Sequence, residues 1–233
     1  MINNPKVTWI PLTEKFLVSW GRVDADRLPE DKILLADKYG RHHLEEDYNR
    51  LVTHLEEEAR LDVLLDEAIA KREGLHSELL SVVRAYNRYF SISDKTTGLR
   101  RLVVRTPSRK GGAERLAFVC RQVESVWRKC EYLDTDRSPI PSKILGFTTD
   151  EFLARINELE AVCTNVRNLK FEIKGHQINA RNLIKSVIQP RLVAYRRMVY
   201  SQYAANHPLV LSIPELRIVN PERRRRRSAQ KPE

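Results

Sequence analysis

The chain is poor in cysteine, in glycine and in long apolar runs. Only 8 of 233 residues are Gly, which excludes a collagen-like or Gly-rich linker protein. The longest uncharged apolar stretches, such as Leu209 to Ile213, fall far short of the roughly 20 residues that a spanning helix needs. The opening residues Met1-Ile2-Asn3-Asn4-Pro5-Lys6 have no basic segment leading into an apolar core, so no signal peptide is expected. The three cysteines, Cys120, Cys130 and Cys163, are odd in number and widely spaced, which argues against a disulfide framework. Cys120 and Cys163 fall on apolar helical positions and are expected to be buried free thiols, in keeping with a reducing cytoplasm. Phosphate-loop, Gly-x-Ser-x-Gly and His-Glu-x-x-His patterns are all missing, and Gly111-Gly112 stands alone after Arg109-Lys110. No cofactor and no enzyme of those classes is expected.

What is present is charge on a globular background. Hydrophobic residues make up 42% and charged residues 31%, too apolar for a disordered chain and too charged for a membrane protein. Lys and Arg number 41 against 31 Asp and Glu, a net charge of +10. The length suits one domain, or one domain with a small appendage.

Apolar spacing of three and four predicts helices through most of the chain. Val7 to Ile10 reads as a short strand or an extended arm, after which Thr13 caps a helix carrying Phe16, Leu17, Trp20 and Val23. Pro29 suits the first turn of a second short helix that Gly40 can stop. From Arg41 to Phe90 there is no Pro, and Leu44, Leu51, Leu55, Leu61, Leu75, Leu79, Val83 and Tyr86 mark one long helix, with Gly74 as its weak point. Residues 92–112 are turn formers around Leu99 to Arg105, which reads as extended. A middle helix is expected from about Ala113 to Leu133, with Trp127 on its buried face. A Pro-bearing linker follows. Thr148 or Thr149 then caps a last long helix with Asp150 and Glu151 in its first turn, where the helix dipole favours acids. Its stripe runs on past Gly175, is expected to kink near Ser186 to Pro190, and stops at His207-Pro208. Leu209 to Val219 reads as short and extended, and residues 221–233 as a disordered basic tail.

The two long helices resemble each other. A shift of 109 places Arg72 on Arg181, Leu75 on Ile184, Ser77 on Ser186, Leu79 on Ile188 and Ala85-Tyr86 on Ala194-Tyr195, which suggests an internal repeat of 41–105 and 148–219. The segments Ile10-Pro11-Leu12, Phe16 to Trp20, Gly146-Phe147-Thr148, Arg181 to Ile184, Ala194-Tyr195-Arg196, His207-Pro208-Leu209 and Ser212-Ile213-Pro214 together resemble a loose group of bacterial all-helical proteins with two similar long helices. That resemblance implies an all-helical fold and carries over no catalytic residue and no ligand.

Site chemistry is sparse in the sequence. His42, His43, Glu45 and Glu46 cluster at a helix start, and His54 lies one turn from Glu58. A metal needs three or four ligands, and these acids belong to a solvated run, so no metal site is expected. Charge layout says more. Residues 44–69 carry nine acids against Arg50 and Arg60, whereas residues 161–204 carry eight bases against Glu172. Either the acidic and basic helices lie side by side and orient each other, or the bases face an anionic partner. In the second case the contacts are Arg100, Arg101, Arg105, Arg109 and Lys110 of the linker, Arg196 and Arg197 of the last helix, and Arg223, Arg224, Arg225, Arg226 and Arg227 of the tail. Tyr195, Tyr200 and Tyr203 lie among these cations, placed either to stack on bases or to pack in the core.

The expected fold is all-α: an elongated helical bundle of two long antiparallel helices, a middle helix and short N-terminal helices. Residues 1–40 form an N-terminal arm with short helices, 41–220 the bundle and 221–233 the tail. The expected role is a non-enzymatic structural or protein-interaction one, through a protein partner or self-association. The alternative is nonspecific nucleic-acid binding. No small-molecule substrate is evident.

Overall fold

A computed structural model describes residues 5–92, 103–106, 112–131 and 142–216. Among these the fold is all-α, without strands. Helix α1 spans Pro5–Ala25, α2 Arg41–Ile92, α3 Ala113–Glu131, α4 Thr149–Leu183, α5 Gln189–Gln202 and α6 Pro208–Leu211. The two long helical stretches pack against each other, as a bundle requires.

Helix α1 begins earlier than the sequence led us to expect. Val7 to Ile10 is helical, not a strand or an arm. Thr13 is buried within the helix, its hydroxyl donating to the Trp9 carbonyl at 2.8 Å, and caps nothing. Trp9, Ile10 and Leu12 pack on the same core as Phe16, Trp20 and Val23, and this burial overrides the local β preference. After α1 two short 3-10 turns, Pro29–Asp31 and Ala36–Lys38, form in place of a second helix. Asp37 and Lys38 then take left-handed backbone angles, and Gly40 leads into α2 instead of ending a helix. The Gly40 N–H donates to His43 Nδ1 at 3.1 Å, which satisfies one open donor at the start of α2.

Helix α2 is unbroken over 52 residues and passes through Gly74. The α4 start is a capping box: Thr148 Oγ1 accepts from the Glu151 N–H at 3.2 Å, and Glu151 Oε2 accepts from the Thr148 N–H at 2.9 Å. A tight turn precedes it, with Ile144 and Phe147 exchanging both backbone bonds. Gly146 sits there at φ 86°, which glycine adopts without steric cost. Helix α4 also passes through Gly175, then enters a five-residue π turn, Ile184–Ile188, where the Gln189 N–H reaches back to the Ile184 carbonyl. This wide turn lies directly before Pro190, the position at which an α-helical ladder loses a donor. Past α5, His207 caps α6 through Nδ1, which accepts from the Leu209 N–H at 3.3 Å. Leu209 to Leu211 are therefore helical, not extended.

The contacts divide into two compact units: Met1–Glu58 with Gly175–Glu233, and Ala59–Lys174. In the first, Phe16, Trp20 and Val23 of α1 meet Leu44 and Leu51 of α2 and Ile188, Leu192, Tyr195 and Val199 beyond α4. In the second, Leu116, Val123 and Trp127 of α3 meet Leu79, Val83, Tyr86 and Phe90 of α2 and Phe152, Ile156 and Leu159 of α4. Each unit is thus built from one short helix, the leading part of the long helix that follows it, and the trailing part of the other. The pairs Tyr86 and Tyr195, Val83 and Leu192, and Phe90 and Val199, each 109 residues apart, are all fully buried. Trp127 is core, as its stripe predicts.

Candidate functional site

Within the second unit, α3 and α4 run antiparallel, locked by ion pairs. Arg167 pairs with Glu114, Arg121 reaches Glu160 at 2.7 Å and Asn157 at 2.5 Å, and Arg128 reaches Asp150 at 2.8 Å. These pairs place a ribbon of side chains along the seam. On α3 it carries Glu114, Phe118 and Arg121, at four- and three-residue spacing on one helix face. On α4 it carries Glu160, Thr164, Arg167 and Phe171, spaced the same way. Phe118 lies on the α3 face between the two ion-pair positions, and Phe171 lies one turn beyond Arg167. Phe118 is 64% exposed and Phe171 79%, each off the apolar stripe by which its helix packs into the core. The charges along the ribbon balance, with two acids and two bases in the two flanking pairs.

The same unit presents cations. Asn87 of α2 binds the extended segment at Val104 in both directions, its Nδ2 donating to the carbonyl at 2.7 Å and its Oδ1 accepting from the N–H at 3.0 Å. Asn87 Nδ2 also donates to Thr106 Oγ1 at 2.9 Å. This clamp holds Arg105 at the surface, while Arg84 and Arg88 are exposed on α2 on either side of Asn87 in sequence. Of the other expected anion contacts, Arg100, Arg101, Arg109, Lys110 and Arg223 to Arg227 lie outside the described residues. Arg196 and Arg197 belong to the first unit. Arg197 is exposed, and Arg196 lies over Tyr200, with its guanidinium 5.1 Å from the ring and its Nε donating to the Tyr200 hydroxyl at 3.1 Å.

Ion pairs between α2 and α4 form outside the acidic and basic runs. In the first unit, among the described residues, Glu45, Glu46 and Glu56 make no ion pair with Arg181, Lys185, Arg196 or Arg197. In the second, Asp62, Asp66 and Glu67 make none with Lys170 or Lys174. The α2–α4 pairs that do form, Lys71 with Glu158 at 2.8 Å and Glu78 with Arg155 at 3.8 Å, have the opposite polarity or fall outside those stretches. Glu45, Glu46, Glu56, Asp62, Asp66 and Glu67 of the acidic run are exposed, whereas Asp47 is buried and Glu58 accepts from Gln177 of α4.

Tyr195 is core and stacks on Trp20, so it is not placed to stack on a base. Burial pushes its hydroxyl up to about 12. Tyr203 is held by Arg27, whose Nε donates to its hydroxyl at 3.1 Å, and Tyr200 is exposed. Around Arg27 lies a cleft of about 690 Å³ lined by Asp26, Leu28, Asp31, Lys32, Leu34 and Tyr203 among others. Its two acids and two bases balance, and Arg27 is already committed to Tyr203, Gln202 and the Asp31 carbonyl.

No protein-family model, curated protein or solved structure matches this chain. The reading therefore rests on its own residues. All three thiols are free. Cys120 is fully buried and pushed up to about 12 by burial, whereas Cys163 is only half-buried, beside the ribbon charges Glu114, Glu160 and Arg167. Among the described residues no group of three or more His, Cys, Asp or Glu is placed to hold a metal, and no helix is long and apolar enough to cross a membrane. Sequence reasoning missed two features. The Phe118–Phe171 ribbon was hidden because each phenylalanine stands off the apolar stripe of its own helix. His176 was overlooked because nothing in its neighbourhood signals a partner 122 residues away, yet it meets His54.

Proposed function

We propose that this chain is a non-enzymatic interaction protein that pairs with a second copy of itself through the α3–α4 ribbon. The observation that carries the reading is the exposure of Phe118 and Phe171 along one ion-paired seam. A two-fold axis at the Glu114–Arg167 pair sets Phe118 of one copy toward Phe171 of the other, and the reverse, so the patch is self-complementary. Its charge balance spares this face the repulsion that a net charge of +10 imposes elsewhere. The three free thiols fit a cytoplasmic location. Light scattering on Phe118→Ser and Phe171→Ser tests the reading: the parent forms a dimer and each variant shifts to monomer.

Nucleic-acid binding is the second reading, favoured by the Asn87 clamp that presents Arg105 within residues 95–110, a stretch without acids. It predicts sequence-tolerant binding that weakens steeply with salt. A fluorescence titration at two salt concentrations, with and without residues 223–233, decides it. No binding at low salt removes this reading.

A further inference from the structure

His54 of α2 and His176 of α4 face each other inside the first unit. Their Nδ1 atoms are 3.3 Å apart, and the rings stand edge to face at 64° with centroids 5.5 Å apart. Two imidazole nitrogens bound to one tetrahedral ion at 2.0–2.1 Å are separated by about 3.3 Å, so the pair already has the bite of a chelate. We propose that His54 and His176 form a cross-helix chelate for a borderline divalent transition-metal ion of the zinc, nickel or copper class.

The surroundings supply what such a site needs. Both rings are half-buried, so an ion can reach them and water can fill the remaining positions. Glu58, one turn after His54, is engaged by Gln177, whose Nε2 donates to its Oε1 at 2.8 Å, so the protein ligands are the two histidines and water completes the shell. The opposing charge is Arg50, one turn before His54, and its guanidinium is paired with Asp47. Imidazole donors favour zinc, nickel and copper, whereas magnesium and calcium demand oxygen ligands. Without an ion the pair is joined by one ring N–H donating to the other Nδ1. Metal replaces that bond with a bridge between α2 and α4.

The test is isothermal titration of the full chain with Zn²⁺ and with Co²⁺, alongside thermal melts in excess ion. The expected result is one ion per chain, a rise in melting temperature with Zn²⁺ but not Mg²⁺, and at least a tenfold loss of affinity in both His54→Gln and His176→Gln. His42→Gln retains the binding. Absence of binding to the parent chain, or affinity unchanged in either His54→Gln or His176→Gln with helicity intact, overturns the site. The site is independent of the ribbon, since dimerisation is read by mass and metal by heat.

Discussion

Trp20 stacks on Tyr195 with ring centroids 4.4 Å apart and planes 19° from parallel. The contact joins α1 to α5 across 175 residues of chain, and both rings are fully buried. Phe16 adds an edge-on contact to Tyr195 at 6.2 Å. Stacked aromatic pairs contribute about 0.5–1.5 kcal/mol beyond area burial. Trp20→Ala is therefore expected to cost about 3–5 kcal/mol, the usual cost of emptying a core aromatic site. Tyr195→Phe should cost much less, because the hydroxyl has only a long 3.4 Å contact with Ser19. Urea unfolding of the two variants checks the contrast.

Tyr39 and Asp47 form a second buried relationship. The phenol donates to Asp47 Oδ2 at 2.7 Å, and Asp47 is only 2% exposed. Burial, then the hydrogen bond to the Asp47 carboxylate, pushes the Tyr39 hydroxyl far above its ordinary range. Tyr39→Phe leaves a buried carboxylate oxygen without its donor, a loss of about 1–3 kcal/mol. Chemical denaturation of the variant at neutral pH measures it.

The capping box predicts an acid-dependent contribution at the α4 start. Hydrogen bonds from Thr148 hold the Glu151 carboxyl below its ordinary value of 4.5. A depressed carboxylate adds stability that is present above its unfolded value and lost as pH falls through the folded one. The stability gap between the parent and Glu151→Gln should therefore be open at pH 6 and close as the pH falls below 4.5 and through the folded value. Thr148→Ala removes the cap itself and should cost about 0.5–2 kcal/mol. Melting curves of both variants across that pH range test the sign.

Asn87 gives a local prediction. Its side chain substitutes for a strand partner at Val104. Asn87→Ala removes three hydrogen bonds to residues 104–106, so trypsin should cut after Arg105 several-fold faster while the global melting temperature moves little. Unchanged cleavage would show that other contacts hold the segment.

Much of the helical layout was legible in the sequence, because a stripe sustained over many turns has one interpretation. Leu44 to Phe90 and Phe152 to Val199 are such stripes, and both gave long helices through Gly74 and Gly175. The N-terminal region was misread for the opposite reason. Four β-branched or aromatic residues, Val7 to Ile10, carry a local preference that only the core around Phe16 and Trp20 overrides. Pro190 signalled a disturbance, but a π turn and a simple kink look alike in sequence. Charge runs told which residues were acidic or basic and not which would meet. Lys71 and Glu158, which belong to neither run, pair between α2 and α4.

Self-association through Phe118 and Phe171 is most directly tested by sedimentation velocity of the full chain at several concentrations. The account predicts a species of twice the 27.2 kDa chain mass, converted to the single-chain mass by Phe118→Ser or Phe171→Ser with unchanged helicity. A parent chain that stays at the single-chain mass up to tens of micromolar, or a dimer untouched by both substitutions, would contradict it.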